Sequence, residues 1–97
     1  MRIISKRPLV EYGASVPAAK SELDAWHAEA KAADWATPTD VKEKYGNASI
    51  LKDGRVVFNI CGNKHRLVVW INYEFRIIYI RFLGTHARYD QIDAQTI

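Results

Sequence analysis

The stretch "RVVFNICGNKHRLVVWI", Arg55 to Ile71, sets β-branched and aromatic residues on both sides of Gly62-Asn63. Two strands joined by a two-residue hairpin have this composition, because a type I′ turn needs positive φ at both central positions and Gly and Asn tolerate it. Such a turn fixes the register. Cys61 then faces Lys64, Asn59 faces Arg66 and Phe58 faces Leu67. Upstream, Asp53-Gly54 is a second hairpin signal that sets Lys52 against Arg55 and Leu51 against Val56. The strands expected are therefore about Ile50 to Lys52, Arg55 to Cys61 and Lys64 to Ile71, with a fourth from Ile77 to Phe82.

These registers sort the side chains onto two faces. With an even connection before the fourth strand, Leu51, Val56, Phe58, Ile60, Leu67, Val69, Ile71, Ile78, Ile80 and Phe82 share one face, which reads as core. The other face receives Lys52, Arg55, Val57, Asn59, Cys61, Lys64, Arg66, Val68, Trp70, Ile77, Tyr79 and Arg81. Antiparallel sheets often show water a polar face, and strand cations discourage edge pairing. Yet Val57, Val68, Trp70 and Ile77 add more apolar area than a solvated face needs, so a large anionic ligand or a partner segment would account for the mixture.

The N-terminal half has a different period. After an opening strand, Met1 to Ser5, Pro17 suits a first helical turn, and Ala19, Leu23, Trp26, Ala30 and Ala33 recur at spacings of three and four. That stripe belongs on a core. It makes Trp26 a packing residue and leaves His27 on the solvated side. Thr37-Pro38-Thr39-Asp40 supplies an N-cap, a Pro at the first position and an acid at the third, and Gly46-Asn47 a stop, giving a second helix from Pro38 to about Tyr45. The fold class is α+β, with N-terminal helices on one face of a twisted antiparallel sheet of four to five strands.

At 97 residues, 48% hydrophobic and 26% charged, the chain fits a single domain spanning 1–97. No stretch reaches the roughly 18 consecutive apolar residues of a membrane helix, and MRIISKRPLVEY has too short an apolar run for a signal peptide. A cytoplasmic protein without membrane association is expected. The lone Cys61 excludes an internal disulfide. Residues 1–51 hold seven Lys/Arg and seven Asp/Glu, so the net charge of +3 arises wholly after Leu51, which suits a phosphate-bearing partner.

"RFLGTHARYDQID", Arg81 to Asp93, concentrates chemistry just past the last strand. If a helical turn follows Gly84, Thr85 caps it, His86 and Tyr89 lie on one side, and Asp90 can hold a ring nitrogen. Arg66 and Arg81 would offer bidentate donors to a phosphate. A proton-transfer pair beside arginines suits cleavage of RNA, where the 2′-hydroxyl loses a proton, the leaving 5′-oxygen gains one, and the phosphorane needs positive charge. No cofactor or metal is expected, since His27, His65, His86 and Cys61 show no paired metal-ligand spacing. Each residue also has a plainer account: a half-buried tyrosine, a turn histidine, a local acceptor.

Two blocks, "VFNICGNKHRLVVWI" (Val57 to Ile71) and "IYIRFLGTHARYDQID" (Ile78 to Asp93), resemble the HigB-type toxins of bacterial type II toxin-antitoxin modules, a branch of the RelE-like superfamily. The resemblance implies a compact RelE-like fold and ribosome-dependent cleavage of mRNA. It also implies a HigA-type antitoxin with a helix-turn-helix, through which alone the toxin would meet operator DNA. On that basis Arg66 and Arg81 are expected at phosphate and transition-state charge, and His86 and Tyr89 at proton transfer or base stacking. Lys52, Arg55, Asn63, Lys64, Trp70, Tyr79 and Arg88 are expected to position the RNA. The competing reading is a non-catalytic RNA- or protein-binding module that uses the same basic face.

Overall fold

A computed structural model describes residues 1–97. The order is β1 (Arg2–Ile4), α1 (Arg7–Ser15), α2 (Pro17–Ala32), α3 (Pro38–Lys44), β2 (Ser49–Ile50), a 3₁₀ turn (Lys52–Gly54), β3 (Arg55–Ile60), β4 (His65–Asn72), β5 (Ile77–Thr85) and α4 (His86–Tyr89). The five strands form one sheet in the order β1-β5-β4-β3-β2. Three pairings are antiparallel, but β1 joins β5 in parallel, so the sheet is mixed rather than wholly antiparallel. The parallel pairing is possible because α1 to α3 and β2 to β4 all lie between β1 and β5 in the chain, ample length for the crossover that parallel strands require.

The α2 stripe behaves as its spacing demands: Ala19, Leu23, Trp26 and Ala30 are all buried. They meet Val56, Phe58, Ile60, Leu67, Val69, Ile71 and Ile78 from the sheet in one core, and Trp26 packs edge-to-face on Phe58 with centroids 5.4 Å apart. Helix α1 is less deeply buried: of its nine residues only Leu9 and Gly13 are buried, with Tyr12 packed against the core beside them. It ends where Val16 leaves helical geometry (φ −127°, ψ 78°), the bias a following proline imposes, and Pro17 then opens α2.

Helix α3 has the cap its sequence announces. Thr37 Oγ1 accepts from the Asp40 amide at 3.3 Å, and the Asp40 carboxylate accepts from the Thr37 amide at 3.2 Å. Thr37→Ala removes one half of this exchange and should cost about 1 kcal/mol of stability, measured as a shift in the urea unfolding midpoint.

Three details depart from the expected register. The β3–β4 pairs are those anticipated, Phe58 with Leu67 and Asn59 with Arg66, but the turn spans Cys61 to Lys64 with positive φ at Cys61 (53°) and Gly62 (66°) rather than at Gly62 and Asn63. Asp53 and Gly54 both take positive φ, yet Ile50 rather than Leu51 pairs with Val56, because the turn holds three residues. A one-residue shift exchanges faces, and Leu51 accordingly leaves the core face. In β5, Val68 pairs with Phe82 but Val69 pairs with Ile80, so Arg81 is the extra residue of a β-bulge. The bulge reverses the alternation: Phe82 joins the opposite face, and Leu83 packs against the helical core in its place.

Candidate active site

Cross-strand pairing arranges the face away from the helices in three rows. Arg55, Trp70 and Tyr79 form the first, Val57, Val68 and Phe82 the second, and Asn59, Arg66 and Gly84 the third. The middle row has a cover within the same chain. Val57, Val68 and Ala94 are buried together, with Leu51, Phe82, Tyr89, Ile92 and Ile97 packed around them. Gln95 secures this C-terminal segment by accepting from the Lys52 amide at 2.9 Å and donating to the Lys52 carbonyl at 2.7 Å. The surplus apolar area of the basic face is thus largely occupied, and the open surface is reduced to the two outer rows. Lys52 keeps an exposed side chain but lies in the 3₁₀ turn, with its backbone committed to Gln95.

The third row is where reactive groups gather. Arg66 is 9% exposed, and its guanidinium donates to the His65 carbonyl at 3.1 Å and to Asn63 Oδ1 at 3.4 Å. Its Cζ lies 5.9 Å from the centroid of the Tyr89 ring. A cation held by a carbonyl, an amide oxygen and a π face, with no carboxylate partner, remains available to an anion. Gly84, directly opposite Arg66, contributes no side chain to this row.

Helix α4 brings Tyr89 and His86 to the same corner. The helix starts as expected: Thr85 Oγ1 accepts from the Arg88 amide at 3.2 Å, and the His86 amide donates to the Lys64 carbonyl at 2.9 Å, which ties the β3–β4 turn to the new helix. On one side of the turn Tyr89 is half-buried toward Arg66, while His86 is exposed with Nε2 at 3.4 Å from Asp90 Oδ1. Lys64 and Arg88 are exposed close by in the sequence of these same elements. The corner therefore holds a fixed guanidinium against a phenol, with an exposed imidazole one helical turn from the phenol and near a carboxylate.

Arg81 does not converge with Arg66. Its guanidinium lies 5.6 Å from the Tyr79 centroid and 5.9 Å from that of Trp70, in the first row. The connection before β5 is even, Tyr73 to Arg76, and Arg81 shares the face of Arg66 as that parity requires, but the bulge leaves it beside the first row instead of near Arg66. The first row thus collects Arg55, Trp70, Tyr79 and Arg81, and the third collects Asn63, Arg66 and Tyr89, with His86 at the start of the helix that carries Tyr89.

One pair behind Arg66 escaped the sequence reading. Tyr12 of α1 shares a 2.8 Å hydrogen bond with Nδ1 of the buried His65, the rings meeting edge-on. Burial pushes the Tyr12 phenol above its usual range, partly offset by Arg88. Because the His65 carbonyl accepts from Arg66, this contact anchors the residue that holds the guanidinium. Fifty-three positions separate the two, and no local pattern links them.

Gly84→Val tests how tightly the rows are packed. A Cβ at Gly84 would stand 2.7 Å from the Phe82 ring, which itself packs under the C-terminal segment. Displacing that ring should cost about 1–3 kcal/mol, read as a lower melting temperature.

Comparison with known proteins adds two findings. The family model described as HigB_toxin, RelE-like toxic component of a toxin-antitoxin system, matches residues 19–92. The chain is also 27% identical over 94 residues to mRNA interferase HigB of Escherichia coli O6:H1, covering 95% of this chain and 91% of that relative. It is 29% identical over 92 residues to mRNA interferase toxin HigB of Escherichia coli K12 and to the Shigella flexneri mRNA interferase HigB, covering 93% of this chain and 88% of each.

Proposed function

The chain belongs to the HigB family of RelE-like toxins, the toxic component of a toxin-antitoxin system, and from that premise we propose that it is an mRNA endonuclease acting at the corner of Arg66, His86 and Tyr89. The carrying observation is the buried Arg66 guanidinium, which is fixed by Asn63 and the His65 carbonyl and faces no acid.

The chemistry follows from what each group can do. The RNA 2′-oxygen attacks the adjacent phosphorus as a base removes its proton, the bond to the 5′-oxygen breaks, and that oxygen takes a proton from an acid. His86, beside Asp90, is one proton carrier, and Tyr89 is either the second or a stacking surface for the base beside the scissile bond. Arg66 takes the charge that builds on the phosphorane oxygens, and its fixed position means that little reorganisation accompanies the step. Asn63 and Lys64, in the turn beside Arg66, and Arg88 on α4 steer the backbone.

A face this limited cannot enclose a nucleotide, so we place cleavage on the ribosome, where mRNA is held extended and the ribosome supplies the missing walls. A HigA-type antitoxin with a helix-turn-helix neutralises the protein and carries it to operator DNA. Expressed without an antitoxin, the protein should arrest growth and fragment mRNA, and the purified protein should cut mRNA on translating ribosomes faster than free mRNA. Normal growth with intact mRNA despite soluble wild-type protein would overturn the reading.

A further inference from the structure

The cleavage corner occupies one end of the open sheet face, and the other end carries a second cationic and aromatic group. Trp70 and Tyr79 are cross-strand neighbours whose rings stack at 5.0 Å between centroids, with planes 26° from parallel. The exposed Arg81 lies over both rings, and Arg55 flanks Trp70 on the next strand. Trp70 Nε1 donates to the Asp53 carbonyl at 2.7 Å, which holds the indole in place. Arg55 Nη1 is buried and has no hydrogen-bond partner.

The surroundings argue against a purely structural role. Arg55 and Arg81 pair with no carboxylate, and Arg55 alone among the lysines and arginines holds a buried nitrogen without a hydrogen-bond partner. Two unneutralised guanidinium groups beside a stacked aromatic pair match the needs of a base and its phosphates. Trp70 lies on the central strand β4, where there is no edge for cations or bulky rings to protect.

We propose that Arg55, Trp70, Tyr79 and Arg81 form a second contact for single-stranded RNA, separate from the cleavage corner. A base stacks on the Trp70–Tyr79–Arg81 layer, and the flanking phosphates bind the two guanidinium groups. The inference rests on the endonuclease reading and extends it. Trp70 and Arg66 are four residues apart on β4, about 13 Å of strand, so the RNA bridges the two contacts across the C-terminal segment. Arg81, expected from sequence at the transition state, becomes a binding residue.

The RNA could be the messenger or a ribosomal segment, and two binding measurements distinguish them. The first follows anisotropy of a fluorescent 2′-O-methylated single-stranded RNA, which lacks the attacking hydroxyl, over a range of salt. The second follows co-sedimentation with ribosomes. Arg81→Ala should weaken binding about tenfold and reduce the salt slope by about 0.7, and in cleavage its loss should fall mainly on KM. Arg81→Lys should restore the slope but not the stacking. Arg55→Gln and Trp70→Phe, which keep most of the packing volume, should weaken binding less.

Weaker oligonucleotide binding supports the contact with messenger as its ligand, and weaker ribosome binding alone supports it with ribosomal RNA. If Arg81→Ala, Arg55→Gln and Trp70→Phe all bind both probes within twofold of wild type, the contact does not exist, whatever the wild type cleaves. If the wild type cleaves nothing yet binds RNA through Arg81, the endonuclease reading falls and this contact stands.

Discussion

Arg66→Ala is expected to reduce mRNA cleavage by a factor on the order of 10²–10³ and to abolish growth arrest, the loss falling mainly on kcat. The reason lies in how the guanidinium is held. It is nearly buried, it donates to the His65 carbonyl and Asn63, and it lies on the Tyr89 ring, so its charge is fixed before substrate arrives. Arg66→Lys keeps the charge but loses the planar fork, and should recover only part of the rate. Because a truncated buried side chain also leaves a void, Arg66→Met serves as the control for bulk. If Met supports cleavage at the wild-type rate, the charge has no catalytic role. The circular dichroism of all three variants should match that of the wild type. His86→Ala should give a loss of about 10²–10⁴, the range of a positioned proton carrier, and full toxicity in that variant would remove His86 from the site.

The largest effect on stability should come from Trp26→Ala, at about 3–5 kcal/mol, read from the urea midpoint. Trp26 is 2% exposed in the middle of α2, and its ring meets Phe58, which in turn meets Tyr45 edge-to-face at 5.1 Å. Its removal opens the joint between α2, β3 and the end of α3. With about 5–15 kcal/mol expected for the whole domain, this loss removes between about a fifth and all of its stability. Trp26→Phe should cost far less, under about 1.5 kcal/mol, because it retains an aromatic contact and removes an Nε1–H that is buried without an acceptor. Equal losses in the two variants would mean that ring packing is not what Trp26 contributes.

Much of this arrangement was legible along the chain because it depends on local periods and turns. The α2 stripe, the Thr37–Asp40 cap, the Thr85 cap and the β3–β4 register all follow from residues a few positions apart. The family resemblance likewise rested on two continuous blocks and agrees with the match over residues 19–92. Helix α1 was not singled out, although Leu9, Tyr12, Gly13 and Val16 recur at spacings of three and four and face the core.

The two faces of the sheet were drawn correctly only as far as the alternation ran unbroken. Val56 to Ile60 and Leu67 to Ile71 lie as their period-two pattern requires, because each pair of neighbours constrains the next. The shift at Leu51 comes from the length of the Lys52–Gly54 turn, three residues where two were expected. Arg81 as a bulge and the cover that Ile92, Ala94 and Ile97 lay over Val57 and Val68 have no such local cause. They arise from contacts between segments more than ten residues apart, where one residue gained or lost in a strand exchanges its faces. Local patterning thus specified the helices, the hairpin register and the reactive residue types. Long-range packing set which of those residues share a corner, joining Arg66 to Tyr89 and carrying Arg81 to Trp70 and Tyr79.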